Sequence, residues 1–175
     1  MKQGLRGWDK VARQIEDIIA GQTVPLNAGQ KASLRCLAGR LPQHGMIIAD
    51  EVGMGKTRIA AVVARAVKEA GGRVAILIPP GLGYQWQEEL RHAGVMAPPL
   101  LRSLLQYLCE WQEKDRQFWL DEQVLLISHI FSNWRLGERS EPWRWLLLPE
   151  LYAQWRKREH RWPRGYCNGT MPQDQ

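Results

Sequence analysis

Residues 45–57 read Gly45-Met46-Ile47-Ile48-Ala49-Asp50-Glu51-Val52-Gly53-Met54-Gly55-Lys56-Thr57, and this stretch decides the fold. Gly45 to Ala49 is a short apolar run bounded by turn signals, which predicts a buried strand. From Lys56 to Ala70, Ile59, Val62, Val63, Ala66 and Val67 recur at helical spacing, and Gly71-Gly72 stops the run. A strand, a tight glycine turn and a helix opening on Gly-Lys-Thr is the context a phosphate-binding loop requires. Gly53 and Gly55 allow a sharp turn that brings backbone N–H groups close to phosphate oxygens. The positive end of the following helix points at the same anion. Lys56 supplies an ammonium with the reach for β- and γ-phosphates, and the Thr57 hydroxyl is suited to ligate Mg²⁺.

The flanks extend the alternation of strand and helix. Upstream, Val11, Ile15, Ile18 and Ile19 predict a helix over 8–20, and Gly21 to Gly29, with Pro25, reads as a loop. Leu34, Leu37, Ala38 and Leu41 predict a second helix from about Gln30, ended by Pro42. Downstream, Arg73 to Ile78 reads as a buried strand broken by Pro79-Pro80-Gly81, and a helix carrying Trp86 and Leu90 follows. Residues 94–99 read as a loop, Leu100 to Trp119 as mainly helical, and Val124 to Ser128 as a third strand candidate. The expectation is an α/β fold: a partial phosphate-loop (RecA-like) parallel sheet of three or more strands with helices on both faces. The expected organisation is an N-terminal helix and linker over 1–29, an ATP-binding lobe over 30–133, a basic Trp-rich helical region over 134–164 and a disordered tail over 165–175.

Composition limits the alternatives. The chain has 175 residues, 45% of them apolar, enough for one domain with a real core. No run approaches the roughly 20 apolar residues that span a bilayer, and the first residues lack the apolar stretch of a signal peptide, so the expected location is cytoplasmic. Cys36, Cys109 and Cys167 are odd in number and lack metal-ligand spacing, which favours plain thiols. The net charge is +6. From Trp134 to Arg164 eight Lys/Arg stand against four acids, and five of the nine tryptophans lie there. That pattern suits phosphate backbones and base stacking, and equally an amphipathic helix with a solvated basic face.

Asp50 occupies the position where a general phosphate loop has its first glycine. Asp50-Glu51-Val52-Gly53-Met54-Gly55-Lys56-Thr57 resembles motif I of the Swi/Snf-type DNA translocases of helicase superfamily two, with Met54 where leucine is usual. Ile76 to Leu90, with Pro79-Pro80-Gly81 and the Gln85-Trp86 pair, looks like that family's motif Ia. Gln30, 26 residues before Lys56, matches an upstream glutamine that reads adenine. Ser128-His129 bears a weaker likeness to a later nucleic-acid-contacting motif. The resemblance covers roughly residues 30–129. It implies an ATP site built from Gln30, Asp50, Glu51, Val52, Gly53, Met54, Gly55, Lys56, Thr57 and Arg58, with ATP and Mg²⁺ as cofactors and Thr57 on the metal. It further implies that Pro80, Gly81, Gln85 and Trp86 touch the DNA backbone; for Trp86 a role as core anchor is the competing reading.

Two parts of the family's machinery are not legible. No carboxylate pair after a buried strand stands where motif II belongs. Asp121-Glu122 precedes its strand and reads as a turn. A second RecA-like lobe with its arginine finger is missing, and such a finger is worth roughly 10³–10⁵ in rate. The expectation is an N-terminal portion truncated before motif II, inactive alone, whose partners are nucleic acid (double-stranded DNA first) and a second lobe or partner chain. The alternatives are a nucleotide- or DNA-binding module without turnover and, ranked below both, a small-molecule kinase, whose loop keeps the first glycine.

Overall fold

The structure, a computed structural model, describes residues 7–49, 53–97, 99–103, 106–107, 122–132 and 152. The chain divides into two units, Met1–Asn133 and Trp134–Gln175. The basic Trp-rich stretch and the tail expected over 134–175 lie outside the described residues, Tyr152 excepted, which is helical and exposed. Cys109, Cys167, Asp121 and most of the helix expected over 100–119 also lie outside them.

The first unit is mixed α/β. Its elements are α1 (Trp8–Ala20), α2 (Ala28–Arg40), α3 (Lys56–Glu69), β1 (Val74–Ile78), a 3-10 turn (Pro80–Leu82), α4 (Gly83–His92), β2 (Val124–Ser128) and a short α5 (His129–Ser132). Helix α3 packs against α1, α2 and α4 and reaches β1. Most of the stripes that predicted the helices are buried: Val11, Ile15, Ile18 and Ile19 of α1, Leu34, Leu37 and Ala38 of α2, and Ile59, Val62, Ala66 and Val67 of α3, whereas Leu41, at the end of α2, and Val63 are only partly buried. At the end of α3, Gly71 adopts φ 84° and the Gly72 amide donates to the Val67 carbonyl at 2.8 Å, which closes the helix and turns the chain into β1.

Strands β1 and β2 are parallel, in register from Val74 opposite Val124 to Ile78 opposite Ser128. All five β2 residues are buried, and β2 has a neighbour on each side. Opposite β1, Leu101 forms a parallel bridge with Ile127: its amide donates to the Leu126 carbonyl at 2.9 Å and its carbonyl accepts from Ser128 at 2.8 Å. The helix expected from Leu100 therefore does not include Leu101.

The sheet differs from the expected one in a second respect. Among the described residues it has two strands, not three or more. Residues 45–49, expected as the strand leading into the glycine loop, carry no strand pairing. Side chains still alternate there: Met46 and Ile48 pack on the core, while Ile47 is 92% exposed. The segment lies against the core but joins no strand ladder. An apolar alternation selects a face, whereas a strand also needs a second chain beside it.

Candidate functional site

The glycine turn is built as the sequence leads one to expect where it is described. Gly53 and Gly55 have φ of 91° and 81°, values that L side chains rarely adopt. Gly55 is the N-cap of α3, and its carbonyl accepts from the Arg58 amide at 3.0 Å and the Ile59 amide at 3.2 Å. The helix thus opens at Lys56, and its positive end faces the turn. Lys56 and Thr57 are half-buried in the first turn, and Gly53 and Met54 are exposed. A Cβ built on Gly53 meets no atom of the described residues within 4 Å. Asp50, Glu51 and Val52 lie outside the described residues.

Gln30 is brought to this turn. Helix α2 begins at Ala28, with Asn27 as N-cap, so Gln30 stands at its third position and completes a capping box. The Asn27 carboxamide oxygen accepts from the Gln30 amide at 2.8 Å, and the Gln30 side-chain oxygen accepts from the Asn27 amide at 3.1 Å. With its oxygen so held, the residue is only 7% exposed, and its side-chain nitrogen crowds Gly55: a Cβ at Gly55 would run into it. Gly55 therefore has two reasons to lack a side chain, its left-handed backbone and this close approach.

Arg58, expected among the nucleotide-binding residues, directs its guanidinium elsewhere. Its Nε and Nη2 donate to both oxygens of Glu89 on α4, at 3.0 and 3.2 Å, and Nη1 reaches the Pro25 carbonyl at 3.4 Å. The two side chains are 30% and 22% exposed. Sequence reasoning missed this pair, since 31 residues separate its members. Arg65 adds a second tie to the same loop, donating to the Thr23 hydroxyl at 3.0 Å and to Glu69 at 2.7 Å.

The other expected contacts gather where β1 ends. Pro80 is half-buried, Gly81 and Gln85 are exposed, and Trp86 is partly buried against the core. Trp86 packs on the core while remaining partly accessible, and the neighbouring Tyr84 is 77% exposed. Gly83 is buried, and a Cβ there would approach the Leu100 side chain to 2.9 Å, which fixes α4 close to the chain entering the bridge. The register of Ile78 with Ser128 places the Pro80 turn and the exposed His129 at the same end of the sheet, the carboxyl end at which parallel sheets hold ligands. Ser128 is fully buried, and its hydroxyl accepts from the Ile130 amide at 3.2 Å.

On the surface of α4, Arg91 donates to Glu88 and holds its carboxyl below the ordinary range, reinforced by the nearby charges of Arg91 and His92. Among the described residues no helix is long and apolar enough to cross a membrane, and no group of three or more His, Cys, Asp or Glu is placed to hold a metal. Comparison of the chain with protein-family models, with curated proteins and with solved structures finds no match.

Proposed function

We propose that this chain is the ATP-binding part of a helicase-like, ATP-dependent DNA translocase, with a phosphate-loop lobe as its core. The observation that carries the reading is the turn at Gly53–Thr57: two left-handed glycines, and a helix whose first residues are Lys56 and Thr57. These residues suit a triphosphate. The amides of the turn and the Lys56 ammonium would hold its β- and γ-oxygens, and Thr57 would ligate the accompanying Mg²⁺. The metal's part is to neutralise charge on the transferred phosphoryl oxygens. Gln30, held against Gly55, would set the loop's conformation from the side where the resemblance puts adenine. The DNA contact would fall at the end of β1, on Pro80, Gly81 and Gln85, with Trp86 seating the helix behind them.

The test is equilibrium binding of labelled ATP with Mg²⁺ to the wild-type chain and to Lys56→Ala. Binding that falls at least about tenfold in the variant supports the reading, since the ammonium is a charge-assisted partner of the phosphates. Equal binding removes it. A second reading is binding without turnover. It is favoured by the sequence, in which no carboxylate pair follows a buried strand where motif II belongs. Hydrolysis by this chain that double-stranded DNA stimulates would exclude it.

A further inference from the structure

Three ties converge on the elements around the glycine turn, and one residue makes two of them. Arg58 follows Thr57 directly and lies in the first turn of α3. Its guanidinium grips both carboxylate oxygens of Glu89 on α4 and touches the Pro25 carbonyl in the loop that leads to Asn27 and Gln30. A planar fork on two oxygens fixes direction as well as distance, which a lysine ammonium does not. Rigid joining of this kind transmits a shift between elements. A movement of the first turn of α3 therefore moves α4, the helix that begins at Gly83 just behind Pro80 and Gly81.

We infer that the Arg58–Glu89 pair couples occupancy of the phosphate turn to the position of α4, with Arg58 acting as a positioning residue. The inference rests on the nucleotide reading above and goes beyond it by naming the link between the two ends of the lobe. A pair serving stability alone would sit anywhere on the α3–α4 contact. This one sits one residue after the Mg²⁺-ligand candidate and also holds the loop entering the Gln30 cap. The two side chains are 30% and 22% exposed and joined through two parallel bonds, so the pair fixes the relative direction of α3 and α4 as well as adding to stability.

Amide hydrogen exchange, read by mass spectrometry, tests this without DNA. The probe is the β,γ-imido analogue of ATP with Mg²⁺, added to the wild-type chain, to Glu89→Gln and to Glu89→Ala, each checked for helix content by circular dichroism. In the wild type, exchange should slow by about fivefold or more both over 53–60 and over 83–92, the lower end of ordinary coupling between sites. In both variants the slowing over 53–60 should persist, while that over 83–92 falls to under about twofold. Slowing over 83–92 that survives in either variant overturns the role of the pair. Slowing confined to 53–60 in the wild type overturns the coupling and leaves nucleotide binding standing. No slowing over 53–60 in the wild type removes the nucleotide reading and the inference with it.

Discussion

Replacing Gly55 by alanine asks the most of this structure, because two separable costs meet at one atom. The first is the backbone. At φ 81° an L residue is disfavoured by about 1–2 kcal/mol, and stiffening of the unfolded chain returns about 0.4–1 of that. Gly53 at φ 91°, with no described atom near an added Cβ, meets this first cost only, so Gly53→Ala should destabilise by about 1 kcal/mol or less. The second cost belongs to Gly55 alone. Its new methyl would displace the Gln30 carboxamide and break the bond its oxygen accepts from the Asn27 amide, half of a capping box. Losing such a bond costs about 0.5–1.5 kcal/mol, and a disturbed cap is worth a similar amount. Gly55→Ala should therefore cost about 2–3 kcal/mol, roughly twice Gly53→Ala or more. Urea unfolding followed by far-ultraviolet circular dichroism measures both. The double variant Gln30→Ala/Gly55→Ala should recover about 1 kcal/mol relative to additivity, because the colliding group is gone. Equal losses at the two glycines, or strict additivity in the double variant, would refute the reasoning about Gln30.

Further outcomes are expected from the same geometry. Thr57→Val, which keeps the shape of the side chain and removes the hydroxyl, should weaken Mg²⁺-dependent more than Mg²⁺-free nucleotide binding, seen in titrations with and without chelator. Leu126→Ala, at the fully buried centre of β2, should cost about 2–5 kcal/mol in the same urea experiment. Retention on double-stranded DNA should drop steeply between roughly 50 and 200 mM salt if phosphates are contacted, and a flat profile would exclude that contact. Glu88 should titrate below the ordinary 4.5, because Arg91 hydrogen-bonds its ionised form. A folded-state value depressed in this way means any stabilisation from the pair is present above the ordinary range and lost as pH falls through the lowered one. A carboxylate carbon titration by NMR with its midpoint at or above 4.5 would contradict the contact.

How much was legible follows from what is local. The stripes of α1 and α3, and the ends of β1 and β2, are written in apolar spacing and glycine stops, and they stand where they were expected. The start of α2 was misplaced by two residues, although Asn27 and Gln30 spell a capping signature three apart. Three features have no local signal. Leu101 joins the sheet through a single bridge, which no periodicity records. Residues 45–49 have the pattern of a strand but not the neighbour that makes one. The grip of Arg58 on Glu89 brings together positions 31 apart and ties α3 to α4. Of the site, the glycine turn and its lysine and threonine could be read directly, whereas the burial of Gln30 against Gly55 is a matter of packing.

The segment over 45–49 bears on how the chain behaves in the test tube. It belongs to no helix or strand ladder, and its outward face shows Ile47 almost bare. Such a stretch accepts any passing strand, another molecule's copy of itself included. Concentrated samples should therefore thicken into oligomers before the helices lose any structure. Replacing Ile47 by lysine, a charge that other chains avoid pairing with, should keep them monodisperse in light scattering without disturbing the side chains of Met46 and Ile48 beneath.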